Sequence, residues 1–453
     1  MEMKDKRFLV VGTGKSGVAA AKLLKNKGIS TVLYDGNDKL DKEAFFANNK
    51  ELAGLELITG ELLKEQMEQT DIVVLSPGVP TDLPMVNTMR DMGILIWGEI
   101  ELAYTFAKGR ILAITGTNGK TTTTTLLGEI MKNYFADVKV VGNIGIPYTS
   151  VASETTDDTV TVAEISSFQL ETVQEFAPEV TAILNITPDH LNRHHTMENY
   201  IAAKESITAK QTAENFCILN YEDEVLRKFG EGLDVKVTWF SSRQELQTGL
   251  YLKKDTIYLA ENGEKTIVVK TDKLHLLGRH NYENVMAAVA MAYRFGVPME
   301  KIREVLLRFT AVEHRIEYVT EKRGIRFYND SKGTNPDAAI QGIRAMNRPT
   351  FLIGGGYDKD SAYDEWIEAF DGKVKELVLI GQTREKIADT ARAHGFTDIR
   401  MADSLEEAIH ICYEHAAAGD AILLSPACAS WGMFKDYEER GRIFKEIVRS
   451  LKE

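Results

Sequence analysis

Cysteine is scarce in this chain: Cys217, Cys412 and Cys428 are the only three among 453 residues. Odd in number and far apart, they suit neither a disulfide framework nor a zinc knuckle, and each reads as a small buried hydrophobe. Basic residues are outnumbered, 54 Lys and Arg against 67 Asp and Glu, for a formal net charge of -13. That balance argues against nucleic acid and anionic membranes as partners, because phosphate backbones are bound by basic surfaces. An anionic small substrate must then be held by local Lys, Arg and metal. No apolar run of about 18 residues marks a membrane span. The opening MEMKDKRFLVVGTG lacks the apolar core of a signal peptide, so a cytoplasmic location is expected. Repeats and low-complexity segments are missing too, apart from the five Thr residues at 121–125. What remains, 44% hydrophobic and 27% charged, is an ordinary globular composition, and the length exceeds one core, so two to four domains are expected.

The stretch RILAITGTNGKTTTTTLL, from Arg110 to Leu127, carries the strongest signal. An apolar strand runs into a glycine loop, then Lys120, Thr121 and a segment able to continue as helix. That order makes a phosphate cradle: backbone N–H groups and the helix N-terminus face an anion, Lys120 adds a point charge, and the Thr121 hydroxyl reaches a Mg²⁺. The standard loop has a further Gly where Ile114 stands, so this is an abbreviated form, GTNGKT. A ligand-free strand-to-helix turn is the alternative, but Lys followed by five Thr is a poor choice for helix propensity alone. ATP is the expected ligand.

Three strand-to-glycine-loop transitions organise the chain. Phe8 to Gly17, FLVVGTGKSG, leads into an Ala-rich helix and a strand at 31–34 ending in Asp35, and a strand at 71–75 runs into Ser76-Pro77-Gly78. After the phosphate loop, strands are expected at 160–163 and 180–184, antiparallel hairpin strands at 250–259 and 265–269 around Glu-Asn-Gly, and a helix at 285–295. A last α/β block places strands at 325–328, 350–353, 376–380 and 421–424. Ligand loops are expected at the carboxyl ends of such strands. The Gly12 to Gly17 motif with Asp35 downstream fits a dinucleotide fingerprint, yet its glycines suit any nucleotide diphosphate, and a tight packing turn would use them as well. An oxidoreductase and a nucleotide switch therefore stay open beside a ligase or kinase acting on a nucleotide-linked substrate; no NKxD-type guanine-reading motif supports the switch.

Further strings follow in order: AEISSFQL at 163–170, NITPDHL at 185–191, AAK at 202–204, GRHN at 278–281, EHR at 313–315 and NDSK at 329–332. Together, and over the whole length, they resemble the Mur ligases of peptidoglycan synthesis. The glycine-rich N-terminal block, SSFQL and the ending SPACASWGMFKDYEERG are most similar to the branch that adds D-glutamate. The DNPR signature of the branch adding diaminopimelate or lysine is replaced here by DSKGTNP. A folate-type polyglutamate ligase is a relative by chemistry, but its expected N-terminus has no glycine-rich UDP domain. The resemblance implies an α/β fold of three domains. These are a Rossmann-like UDP-substrate domain at 1–98, a central P-loop ATPase-type domain with a mixed sheet at 99–311, and a Rossmann-like amino-acid domain at 312–453.

The resemblance also implies the chemistry and its residues. ATP phosphorylates the carboxylate of UDP-N-acetylmuramoyl-L-alanine, and the D-glutamate amine displaces phosphate from the acyl phosphate, in a monomer. ATP would be held by Gly116, Thr117, Asn118, Gly119, Lys120, Thr121 and Thr122, with Asn281, Asn284, Arg315 and Asp330. Two Mg²⁺ ions would use Thr121, Glu164, His190 and Lys204, the last carbamylated by CO₂. His is an unusual Mg²⁺ ligand by hardness, and a packing role is its alternative. For Lys204 the alternative is a plain helix-surface lysine. Only a neutral amine reacts with CO₂, so burial or neighbouring cations must lower its pKa. Lys120, His190, Lys204 and Lys332 are the expected catalytic set. The UDP substrate falls to Gly14, Lys15, Ser16, Gly17, Asp35, Ser76, Pro77, Gly78, Asn143 and Ser166, although Gly36 stands where the family has a hydroxyl residue. D-glutamate falls to Lys332, Thr334, Lys359, Ser430 and Tyr437, two lysines and hydroxyls suiting a dicarboxylate.

Overall fold

Short apolar runs between glycine loops bury both faces only if helices cover them, which parallel sheets achieve. Phe8, Leu9, Val10 and Val11 are each at most 3% exposed, in the middle of the first sheet. In this computed structural model residues 3–310 and 312–452 are described. The expected domain ends at 1 and 453 and the expected boundary at 311 lie outside the described residues. The first sheet comprises β1 (Arg7–Val11), β2 (Ser30–Asp35), β3 (Glu56–Thr59), β4 (Ile72–Leu75) and β5 (Leu95–Gly98). Its order, β3-β2-β1-β4-β5, is all parallel. The chain reverses its direction of winding between β1 and β4, so the loops after these two strands flank the crevice where open sheets take ligands.

The second sheet holds β6 (Arg110–Thr115), β7 (Val138–Gly142), β8 (Val160–Glu164), β9 (Val180–Ile183), β10 (Phe216–Asn220), β11 (Lys236–Ser241), β12 (Gly249–Lys253), β13 (Thr256–Glu261) and β14 (Glu264–Lys270). In its order β14-β13-β12-β11-β10-β9-β6-β8-β7, β6 lies between β8 and β9. Ile114 is in register with Glu164 and Thr115 with Ile183, so three carboxyl ends converge. The stretch 250–259, expected as one strand, is two: Lys254 takes a φ of 53°, and this left-handed residue turns the chain between β12 and β13. The third sheet holds β15 (Glu317–Lys322), β16 (Ile325–Asn329), β17 (Thr350–Gly356), β18 (Val374–Gly381), β19 (Ile399–Met401) and β20 (Ala421–Leu424). Its order is β15-β16-β20-β17-β18-β19, with β15 antiparallel to β16 and the others parallel. All three cysteines are free and buried, as their scarcity suggested.

The described chain separates into two compact units. One runs to Lys253 and includes 258–266 and 283–302; the other takes 254–257, 267–282 and the chain from Arg303. The first sheet and the phosphate loop share a unit.

Glycine at position 17 is a packing requirement. A Cβ there would lie 1.9 Å from the carbonyl oxygen of Gly12, a residue held at φ +102° whose N–H donates to Tyr34 O. Gly17→Ala is therefore expected to cost about 3 kcal/mol in denaturant unfolding, the upper end of overpacking penalties. A loss below about 1 kcal/mol would show that helix Lys15–Asn26 can shift away from the loop.

Candidate active site

The phosphate loop closes on itself through its lysines. Lys120 Nζ donates to Gly116 O and Thr117 O, both at 2.8 Å, and Lys204 Nζ donates to the same Gly116 oxygen at 2.8 Å. Lys204 is 1% exposed on helix Met197–Glu205, with its ammonium 4.6 Å from the Tyr200 ring centre. Burial first, and then the field of Lys120, push its pKa from 10.5 down to about 7, against a smaller opposing pull from Asp189. A large fraction is thus neutral amine near pH 7, the condition that reaction with CO₂ demands.

Helix Lys120–Lys132 starts from Gly119 at φ 86° without a side-chain cap, which leaves its positive end to a ligand. Two expected cradle donors are used inside the protein. Thr117 N bonds to Asn185 O at 2.9 Å, and Asn118 N to Asn185 Oδ1 at 2.8 Å. Asn185, just beyond β9, therefore braces the loop, and Thr117 Oγ1 lies 3.0 Å from the Tyr200 hydroxyl. A Cβ on Gly119 would meet Asn284 Oδ1 at 2.2 Å, so Asn284 sits against the loop. Asn281 donates to Leu277 O at 2.7 Å. Thr122 is buried and Thr121 partly so.

Beside the loop, Glu164 ends β8 at 1% exposure. Its Oε1 accepts from Asn143 Nδ2 at 2.8 Å, while its buried Oε2 has no hydrogen-bond partner. A buried carboxylate oxygen left unpaired is costly unless a cation or donor arrives with the ligand. Together with the Thr121 hydroxyl it is a hard-oxygen donor set, which fits Mg²⁺. Among the described residues no group of three or more His, Cys, Asp and Glu is gathered to hold a metal, so phosphate and water oxygens would complete any shell. Ser166 Oγ lies 3.1 Å from Gln169 Oε1 and accepts from Gln169 N, capping helix Ser167–Leu170. His190 has φ 52°, its side chain is half exposed, and its ring lies 4.9 Å from that of Phe168.

At the switch point of the first sheet, Gly14 caps helix Lys15–Asn26 without a side-chain bond. Nothing lies within 4 Å of a Cβ placed on Gly14 or Gly78, whereas Gly12 and Gly17 pack against Ser76, whose buried Oγ has no partner. Asp35 is committed to the loop itself: Oδ2 accepts from Thr13 N at 3.1 Å and Thr13 Oγ1 at 2.5 Å, and Oδ1 from Asn37 N.

In the other unit, the carboxyl ends of β16, β20 and β17 carry the expected amino-acid residues. Lys332 Nζ is 5.5 Å from the Tyr437 ring centre, and Lys359 Nζ 4.6 Å from that of the exposed Trp431. Thr334 N bonds to Lys332 O, and Ser430 is buried. Arg315 is exposed between His314 at φ 65° and Ile316 at φ 47°. Asp330 points inward, accepting from Ser425 Oγ at 2.7 Å and Ile316 N at 3.2 Å, and burial pushes its pKa up to about 7. Sequence reasoning missed Arg440. Fully buried, it donates to Ser331 Oγ, Ser331 O and Cys428 O and so ties the loops after β16 and β20 together. Burial lowers its pKa to about 10.

Comparison with known proteins places these features. The model described as Mur ligase MurD-like, N-terminal domain matches residues 6–98, Mur ligase middle domain matches 114–292, and Mur ligase, glutamate ligase domain matches 314–428. The chain is 57% identical to a UDP-N-acetylmuramoylalanine--D-glutamate ligase of Lachnoclostridium phytofermentans and 44% identical to one of Clostridioides difficile, covering 100% of each chain in both cases. In fold it is similar to MurF from Acinetobacter baumannii (TM-score 0.61, 16% identity, 98% of this chain and 93% of that one). It is likewise similar to UDP-N-acetylmuramate-alanine ligase MurC from Thermotoga maritima (TM-score 0.58, 19% identity, 99% and 100%). Matched from its first glycine loop to the loop that Arg440 holds, the chain belongs to the Mur ligase family.

Proposed function

We infer that this chain is an ATP-dependent amide ligase that adds D-glutamate to UDP-N-acetylmuramoyl-L-alanine in peptidoglycan precursor synthesis. The geometric observation that carries the reading is the meeting of Lys120 and Lys204 on one loop oxygen at the uncapped start of helix Lys120–Lys132, with an unpartnered Glu164 oxygen at the end of the neighbouring strand β8. A triphosphate and a carboxylate repel each other, so the charge that brings them together would come from Lys120 and from the Mg²⁺ that the acidic groups beside it would hold. Lys120 would touch the β- and γ-phosphates. Thr121 and Glu164, with His190, would hold Mg²⁺, which supplies charge neutralisation when bound. A carbamate on Lys204 would add an anionic oxygen there and replace an ammonium that Lys120 repels. Asn143 and Ser166 would orient the alanyl carboxylate.

One carboxylate oxygen attacks the γ-phosphorus and ADP leaves; the D-glutamate amine then attacks the acyl carbon, loses a proton, and phosphate leaves. Lys332, Thr334, Lys359, Ser430 and Tyr437 would hold the dicarboxylate, with Asn281, Asn284, Arg315 and Asp330 on the nucleotide side. Gly14 to Gly17, Asp35 and Ser76 to Gly78 would take the UDP moiety. A nucleotide-linked substrate and ATP support a cytoplasmic location for the reaction.

Phosphate release from Mg²⁺-ATP and UDP-N-acetylmuramoyl-L-alanine, measured in parallel with D-glutamate, L-glutamate, L-lysine and meso-diaminopimelate, tests the reading. Release confined to D-glutamate is expected. Release with another amino acid overturns the specificity, and release indifferent to the amino acid overturns the ligase.

A further inference from the structure

Between the turn after β4 and the segment carrying His190 lies a network of hydrogen bonds and ion pairs that none of the roles above uses. Glu171, which follows helix Ser167–Leu170, and Arg193 are 14% and 11% exposed in their side chains. Arg193 Nη2 donates to Glu171 Oε2 at 2.7 Å and to the Val79 carbonyl at 2.9 Å, and its Nε reaches Glu171 Oε1 at 3.4 Å. Glu171 Oε2 also accepts from Thr81 Oγ1 at 3.1 Å. On the other side, His194 Nδ1 lies 3.3 Å from Glu171 Oε1, and its Nε2 is 2.9 Å from Ser167 Oγ. The carboxylate selects the tautomer with hydrogen on Nδ1, so Nε2 accepts from the serine hydroxyl. The Phe168 ring then stacks the assembly: the Arg193 guanidinium is 5.0 Å from it, His190 4.9 Å and His194 5.5 Å.

A fork between a guanidinium and a shielded carboxylate is rigid and stronger than an exposed pair. The residual space around Ser76, Pro77, Val79, Gln169 and Arg193 is about 10 Å³, the lower limit of what one water occupies. Close-packed contacts of this kind transmit displacement instead of absorbing it. We propose that Glu171 and Arg193 are a positioning pair: they fasten the segment 189–196, which carries His190, to the turn 76–82, so that substrate held by the turn also orders the segment. The proposal rests on the reading that Ser76 to Gly78 contact the UDP moiety. Arg193 and Glu171 act through other residues and touch no reacting atom.

Hydrogen–deuterium exchange with UDP-N-acetylmuramoyl-L-alanine alone, without ATP or Mg²⁺, separates the possibilities. In the full-length wild type, substrate is expected to slow exchange in both 76–82 and 189–196, each by about tenfold. In Arg193→Lys, which keeps the charge but loses the fork, protection of 76–82 should persist while that of 189–196 falls close to the substrate-free level. In Thr81→Val, which removes one turn contact and leaves the Arg193–Val79 and exposed His195–Asp82 bonds, protection of 189–196 should fall part of the way. Unchanged protection of 189–196 in both variants, or its absence in the wild type while 76–82 is protected, overturns the pair as a coupling. Failure of the substrate to protect 76–82 in the wild type overturns the UDP reading itself. A merely structural pair would speed exchange in both segments with and without substrate.

Discussion

Alanine at position 204 is expected to reduce phosphate release about 10³-fold, and a short-chain carboxylic acid added to that variant is expected to restore part of it. Lys120 and Lys204 both donate to Gly116 O at 2.8 Å, which puts two amines on a single acceptor in a buried place. Burial first, and then the field of Lys120, disfavour the charged form of Lys204, whose pKa drops to about 7. Its neutral amine can attack the carbon of CO₂ and lose a proton, giving a carbamate that Lys120 attracts. The sign of the pH dependence follows. Below about pH 7 the amine of the folded protein is protonated and cannot react, so the carbamate and the activity should fall as pH drops through that value. Between about 7 and the unfolded value of 10.5, the unfolded chain binds more protons than the folded one, so this group makes stability rise with pH across that window; below it both states are protonated and the slope vanishes. Activity assays in CO₂-depleted buffer at pH 6 and pH 8, with intact-protein mass, check the reaction. Wild-type-like activity of Lys204→Ala would remove the role altogether.

The strands legible in the sequence, chiefly central ones, have local causes, whereas β3, β5, β7, β10, β11, β15 and β19 carry no such signal. Four-residue apolar runs such as Ile72–Leu75 and Ala421–Leu424, each closed by a glycine or proline loop, carry strand, turn and direction within a dozen residues. The phosphate loop was legible for the same reason. What escaped reading were partners far apart in sequence. Asn185 braces Thr117 and Asn118 from 67 residues away and, although it stands in the NITPDHL string, nothing local marks it as the brace. Arg440 lies 109 residues from Ser331 and looks, in its Glu-rich surroundings, like a solvated helix residue until the fold buries it. Asp35 and Asp330 show the same limit: nothing local in the sequence marks the hydrogen bonds by which their carboxylates hold Thr13 and Ser425. The break at Lys254 is different again: the polar run Lys253-Lys254-Asp255 interrupts the alternation and marks the turn locally, so a single strand over 250–259 runs against its own pattern.

Glu164→Gln is expected to lose about 10²–10³-fold in activity without loss of stability, and the pairing of those two outcomes is the informative part. Most buried carboxylates are held by donors, so that neutralising them leaves donors stranded. Glu164 differs: Asn143 satisfies Oε1, and Oε2 is buried with no partner. Glutamine has the same shape, keeps an acceptor for Asn143 Nδ2, and removes a charge that the folded protein shields from water. Its thermal midpoint should therefore equal or exceed that of the wild type, since removing an uncompensated buried charge stabilises. Function runs the other way, because an amide is a weaker ligand for a hard dication than a carboxylate, so the Mg²⁺ concentration for half-maximal phosphate release should rise along with the fall in rate. A lowered midpoint would show that the carboxylate serves the fold through donors of its own. Retained activity with an unchanged Mg²⁺ requirement would remove Glu164 from the metal site. Higher stability with lost activity would identify the unpaired oxygen as strain kept for a ligand, the trade expected where a site is built for charge that arrives only with its substrate.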